Sequence, residues 1–147
     1  MVKDLPNLAD FRHSQEVQIR FNDIDILGHV NNIVYFAFYD LAKARFLEAV
    51  RKGNIDFRRV ECVIADIHNT FIKQIRFGDE IEVKTRCTRL GEHSFTLQQC
   101  IVEIPTQEIR SVCETVMVCF NPDTGRSTAM TPELRAALIE YERLPVD

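Results

Sequence analysis

The spacing of apolar residues along the chain changes period twice. Val17, Ile19 and Phe21 alternate with Gln18, Arg20 and Asn22, the two-residue period of a half-buried strand, after a polar lead-in over residues 1–14. From Asn31 or Asn32 to about Arg51 the run I-V-Y-F-A-F-Y-D-L-A-K-A-R-F-L-E-A-V-R has alanines and Leu41 but no Gly or Pro, which predicts a helix. Ile33, Val34, Phe36, Ala37 and Phe38 point in nearly every direction around its axis, so its first half is expected to be buried on all sides. Charge gathers later, at Asp40, Lys43, Arg45, Glu48, Arg51 and Lys52, and Gly53-Asn54 suits the exit. Beyond it the period returns to two. Residues 60–77, 80–90, 94–104 and 109–120 are rich in Val, Ile, Thr, Phe and Cys and predict four strands. The short separators between them carry Gly, Pro, Asn and Asp and favour antiparallel hairpins. Thr131-Pro132-Glu133 reads as a helix start, opening a short helix to about Tyr141.

The element order is strand, long helix, four strands, short helix, an α+β pattern with an antiparallel sheet of about five strands. One flat sheet cannot bury a helix on all sides. The sheet must curl around it, or a second copy must help to cover it. No repeat or linker interrupts the 147 residues, so 1–147 is expected to form a single domain.

Composition narrows the classes. Apolar residues at 46% and charged residues at 27% are globular values, and a net charge of −4 argues against a nucleic-acid partner. Cys62, Cys87, Cys100, Cys113 and Cys119 are odd in number and lack C-x-x-C spacing, which suits free thiols in a reducing cytoplasm. The N-terminal ten residues have no sustained apolar core, so no secretory signal is expected, and no run is long enough to span a membrane.

Candidate chemistry concentrates in Arg20 to Arg45. Asp23, Asp25, Gly28, His29, Asn31 and Asn32 crowd the mouth of the predicted helix, where backbone N–H groups lack partners and the dipole favours negative charge. Either acid alone fits an N-cap or Asx turn, and His29 alone fits a hydrogen-bonded structural histidine. Gly28 permits an unusual backbone angle, and one asparagine is expected to cap the helix. His13, His68 and His93 have no metal-ligand spacing to His29, and the chain lacks G-x-S-x-G, G-x-G-x-x-G and a P-loop. No metal or cofactor is expected. A carboxylate is the best reactive group.

The segment F-N-D-I-D-I-L-G-H-V-N-N-x-x-Y, the long helix after it and F-I-K-Q-I-R-F-G-D-E-I-E-V resemble the hotdog-fold acyl thioesterases, most closely the 4-hydroxybenzoyl-CoA thioesterase-like branch. The H-V-N-N run is shared with plant acyl-carrier-protein thioesterases. The resemblance spans about Val17 to Phe120 and implies a sheet wrapped around the long helix, in homodimers or homotetramers. It implies an acyl-CoA substrate, with an acyl-carrier protein as the alternative carrier. It puts the catalytic carboxylate on Asp25, the accompanying polar pair on His29 and Asn31, and the oxyanion donors on backbone N–H groups near Asn31 and Asn32. Tyr35, Phe36, Tyr39 and Phe71 would line the acyl pocket, while Lys84, Arg86, Arg89 and Ser94 would contact the CoA. Two positions depart from the plant pattern. Leu27 stands where an asparagine is found and Gln74 where a further acid is found. A hotdog dehydratase and a noncatalytic acyl-thioester binding module are the rival readings. The dehydratase pattern H-x-x-x-x-P-G is absent after His29.

Overall fold

The computed structural model describes residues 4–59 and 61–143. Five strands form one antiparallel sheet: β1 (His13–Val17), β2 (Cys62–Phe71), β3 (Ile81–Leu90), β4 (Ser94–Glu103) and β5 (Ile109–Cys119). Their order across the sheet is β1-β3-β4-β5-β2, so β1 and β2 are its edges. The long helix α1 (Asn32–Val50) crosses one face, and the short helix α2 (Pro132–Glu142) follows the last strand. The predicted α+β pattern is observed.

Each element has a local cause. Asn31 caps α1, its Oδ1 accepting the Ile33 N–H at 3.0 Å, a bond that typically contributes about 1 kcal/mol. At the far end Gly53, at φ +83°, returns its N–H to the Glu48 carbonyl. Thr131 caps α2 through Leu134, with Pro132 in the first helical position. Inward-facing residues of β3 to β5 pack on α1 in two groups. One gathers Val30, Tyr35, Phe38, Val83 and Ile101; the other gathers Phe46, Val50, Cys87, Leu97 and Met117. Phe46 and Leu97 are fully buried, each contributing roughly 2 to 3 kcal/mol by leaving water.

Four sequence expectations change. The first strand lies earlier than the Val17-Ile19-Phe21 alternation suggested. Its ladder with β3 ends at Val17–Ile81, and Phe21 is 82% exposed at the start of a 3₁₀ turn. The lead-in is structured within its described part: Leu8–Asp10 forms a 3₁₀ turn, and Phe11 is buried against Cys100 and Val102 on the face away from α1. The strand predicted over residues 60–77 ends at Phe71, because the next two N–H groups both donate to the Arg110 carbonyl and turn the chain away; its expected first residue, Val60, lies outside the described residues. The first half of α1 is not buried all round. Ile33 is 76% exposed and Leu41 43%, with exposed Ala37 between them on the same stripe, since a single sheet covers only one side of a helix.

Candidate active site

The site is a small hairpin leading into α1. Residues 23–25 run antiparallel to 29–31: the Asn31 N–H donates to the Asp23 carbonyl at 2.8 Å, and the Asp25 N–H donates to the His29 carbonyl at 3.0 Å. The tip is a tight turn closed by Gly28 N–H to the Asp25 carbonyl, with Gly28 at φ +85°, where a side chain would be strained. At its base the Val30 N–H donates to the Ile75 carbonyl at 2.8 Å. The loop carrying Ile75 is itself anchored by buried Arg110, whose guanidinium donates to the Gln74 carbonyl and pairs with Asp79 and Glu103.

The two acids of the hairpin differ sharply. Asp23 is 1% exposed and accepts the Arg20 backbone N–H at 2.8 Å and its guanidinium at 3.0 Å. Burial alone would raise its carboxyl pKa; the bonds from Arg20 outweigh burial and hold it below the usual carboxylate range. Asp25 is half-buried. One carboxylate oxygen accepts the Leu27 N–H at 2.8 Å in an Asx turn, and the other has no partner among the described residues.

Of the two expected oxyanion donors, the Asn31 N–H is already engaged by Asp23, and the Asn31 side chain serves as the cap. The Asn32 N–H has no acceptor among the described residues and points out of the positive end of α1. His29 is half-buried beside it. Around this mouth lie large apolar side chains in open solvent: Ile26 is 100% exposed, Leu27 73% and Phe77 60%, the last meeting Phe21 edge to face.

Behind the mouth, Tyr35 is buried and meets Phe71 of β2 edge to face at 4.9 Å between ring centroids. Tyr39 is fully buried one turn further on, and Phe36 is partly buried. Three of these four residues thus lie on the first half of α1 and the fourth at the end of β2. The four residues expected to contact CoA do not join them. Lys84 and Arg86 lie on the sheet face away from α1. Lys84 pairs with Glu82 at 3.1 Å, while Arg86 bonds Gln98 at 2.8 Å and stacks over Phe11. Arg89 and Ser94 flank the β3–β4 turn, with Arg89 eight residues along β3 from Ile81, about 26 Å of strand. The strand parity of Lys84 and Arg86 with exposed rather than apolar positions signals the first pair's displacement.

Other groups are less suited to chemistry. Burial pushes the Cys87 and Cys100 thiols up to about 12 and Cys62 to about 11, and all five cysteines are free. Among the described residues no three His, Cys, Asp or Glu side chains gather to hold a metal ion, and no helix is long and apolar enough to cross a membrane. A cavity of about 200 Å³ beside Leu47, Phe57 and Leu134 lies at the far end of α1 and does not touch Asp25.

A helix mouth that offers a carboxylate oxygen and a backbone N–H, both without partners among the described residues, has groups able to react with and polarise a carbonyl. Residues 19–138 match the profile of the thioesterase-like superfamily, and the chain belongs to that family. Its architecture is the hotdog fold, and it is a thioesterase. A Pseudomonas aeruginosa protein shares 28% identity at a TM-score of 0.80, over 90% of this chain and 92% of that one. A Thermus thermophilus thioesterase complexed with coenzyme A and Zn shares 26% identity at a TM-score of 0.79, over 92% and 98%. A chloroplastic acyl-acyl carrier protein thioesterase of Arabidopsis thaliana is 26% identical over 65% of this chain and 52% of its own length.

Proposed function

We propose that the chain hydrolyses acyl-CoA to a free carboxylic acid and CoA, with Asp25 as the reacting carboxylate. What carries this is that two groups are left without partners among the described residues, one Asp25 carboxylate oxygen on the hairpin and the Asn32 N–H at the start of the helix it leads into. The thioester carbonyl sits at the mouth of α1, its oxygen toward the Asn32 N–H. A preorganised donor of this kind contributes on the order of 3 kcal/mol as negative charge develops. Asp25 either adds to the carbonyl carbon or draws a proton from the water that does. On both routes water oxygen ends in the acid, the C–S bond breaks and the departing thiolate takes up a proton. His29 holds the thioester or the water at the hairpin, and Tyr35, Phe36, Tyr39 and Phe71 line the acyl group's path.

The site works in a homodimer or homotetramer, as one domain per chain. Two features support this: the apolar stripe Ile33-Ala37-Leu41 is uncovered, and the edge strand β2 exposes Val63 at 47%, Ile64 at 43% and Phe71 at 44%. A second copy pairing along β2 would cover both and enclose the mouth. The resemblance to a coenzyme A complex supports CoA as the carrier. Five free thiols support a cytoplasmic setting. Thiol release from a panel of acyl-CoAs, run beside the same acyl groups on acyl-carrier protein, tests the reading. Release from acyl-CoA supports it; release from acyl-carrier protein alone changes the carrier; release from neither overturns it.

A further inference from the structure

Two of the five cysteines face each other. The ladder of β2 on β5 pairs Cys62, the first residue of β2, with Cys119, the last of β5. The backbone shows which kind of pair this is. The Cys119 N–H donates to the His93 carbonyl and its carbonyl accepts the Thr128 N–H, so both polar groups point away from β2. The next residue does the opposite: the Phe120 N–H donates to the Glu61 carbonyl at 2.9 Å. Cys62 and Cys119 therefore form a non-hydrogen-bonded pair, the closer of the two kinds, with Cα atoms about 4.5 Å apart and side chains on one face. That spacing lies inside the range a disulfide spans.

The other cysteines are not so placed. Cys87 stands opposite Leu97, Cys100 opposite Lys84 and Val112, and Cys113 opposite Gln99 and Asn69. Each thiol of the facing pair also borders open space. Cys62, half-buried, lines the cavity of about 200 Å³ beside Leu47, Phe57 and Leu134. Cys119 lines a second cavity of about 240 Å³, and Arg59, Glu61 and Leu134 border both. Both are many times the roughly 15 Å³ that holds one water molecule, so a small hydroperoxide has room to enter.

We propose that Cys62 and Cys119 are a reversible oxidation site, closed to a disulfide by a hydroperoxide and reopened by a dithiol. The Cys62 sulfur, the more exposed of the two, attacks the peroxide O–O bond. An S–O bond forms, the O–O bond breaks, and the leaving oxygen takes the thiol proton and departs as water or an alcohol. The Cys119 sulfur then attacks that sulfenic acid. The S–S bond forms, the S–O bond breaks, and the hydroxyl leaves with the Cys119 proton as water. The two thiols lose two electrons and the peroxide gains them. A dithiol reverses the bond by exchange and is itself oxidised.

Burial sets the rate. It pushes the Cys62 thiol up to about 11 and raises that of Cys119, so little thiolate is present at neutral pH and the pair answers to sustained oxidant, not to a brief pulse. The bond acts on the edge of the sheet. The approach to β2 is held by partly exposed ion pairs, Arg51 to Glu61 at 3.1 Å and Arg59 to Asp123 at 2.9 Å, and such pairs stabilise little in water. The disulfide fastens that end of β2 to β5. It closes a long loop of chain, from 62 to 119, and so stabilises the fold by restricting the unfolded state.

The reduced full-length protein, treated with hydrogen peroxide, then unfolded, alkylated and digested without reduction, tests this. The expected product is a linked Cys62–Cys119 peptide pair lighter by two hydrogens than its parts, with Cys87, Cys100 and Cys113 alkylated. Its rate of formation is expected to rise about tenfold per pH unit between about pH 7 and 9, as the thiolate grows. The melting temperature is expected to rise by about 5 to 10 °C and to return when dithiothreitol is added. Cys62→Ser, and independently Cys119→Ser, are expected to lose both the linked pair and the rise. Linkage through other cysteines, both thiols left free after prolonged peroxide, or an unchanged melting temperature in the linked protein would overturn the proposal. If neither variant folds, the wild-type peptide map and melting temperature decide. None of these results bears on thioester hydrolysis, which the acyl-CoA panel tests separately.

Discussion

The root and the tip of the hairpin before α1 are built from the same residue types and serve opposite ends. At the root, Asp23 is buried, both of its oxygens accept from Arg20, and its carbonyl holds the Asn31 N–H. At the tip, Asp25 is half-exposed and commits one oxygen to a turn. The root spends its hydrogen-bonding capacity on position; the tip keeps one carboxylate oxygen in reserve, and past the root the Asn32 N–H at the start of α1 has no acceptor among the described residues. An acid whose bonds are all satisfied stabilises a fold. One left partly free, on a scaffold it does not itself hold together, is available for chemistry.

That contrast predicts a ranking in stability. Asp23→Ala has the largest effect, about 2 kcal/mol, because it leaves the Arg20 backbone N–H unpaired and removes a buried charge-assisted bond. Its pH dependence has a definite sign. The folded carboxyl titrates below the ordinary aspartate value of 3.8, so its contribution is complete above that value and is lost as pH falls through the folded one. The gap in melting temperature between wild type and variant is therefore full at neutral pH and narrows on acidification; a gap constant with pH would show that Asp23 acts as packing. Gly28→Ala comes next at about 1 kcal/mol, since alanine is strained at the φ of the tip; a variant as stable as wild type would mean that the turn is not held in this form. Asp25→Asn has the smallest effect, within about 0.5 kcal/mol, because the amide oxygen can still accept the Leu27 N–H.

Much of this was legible in the chain. The α1 pattern, a cap from one of its two leading asparagines and the four later strands follow from apolar period, turn residues and the caps, all of which are local. The first strand was misplaced because Val17, Ile19 and Phe21 go on alternating after β3 has ended, and pairing length belongs to the partner strand. The preference for Asp25 as the reacting acid came from the resemblance; in the structure Asp23 is buried and bonded to Arg20, while Asp25 is half-buried. The loss of Asn31 as an N–H donor was not legible, since its acceptor is a backbone carbonyl set by the hairpin register. Lys84 and Arg86 carried a warning: they fall out of phase with Val83, Thr85 and Cys87, and so face away from the helix.

The central claim is that the chemistry resides at the hairpin tip, and Asp25→Asn tests it most directly. Thiol release from a hydrolysed acyl-CoA should fall by roughly a thousandfold in kcat, with the melting temperature of the wild type retained. Turnover at the wild-type rate in that folded variant would contradict the account.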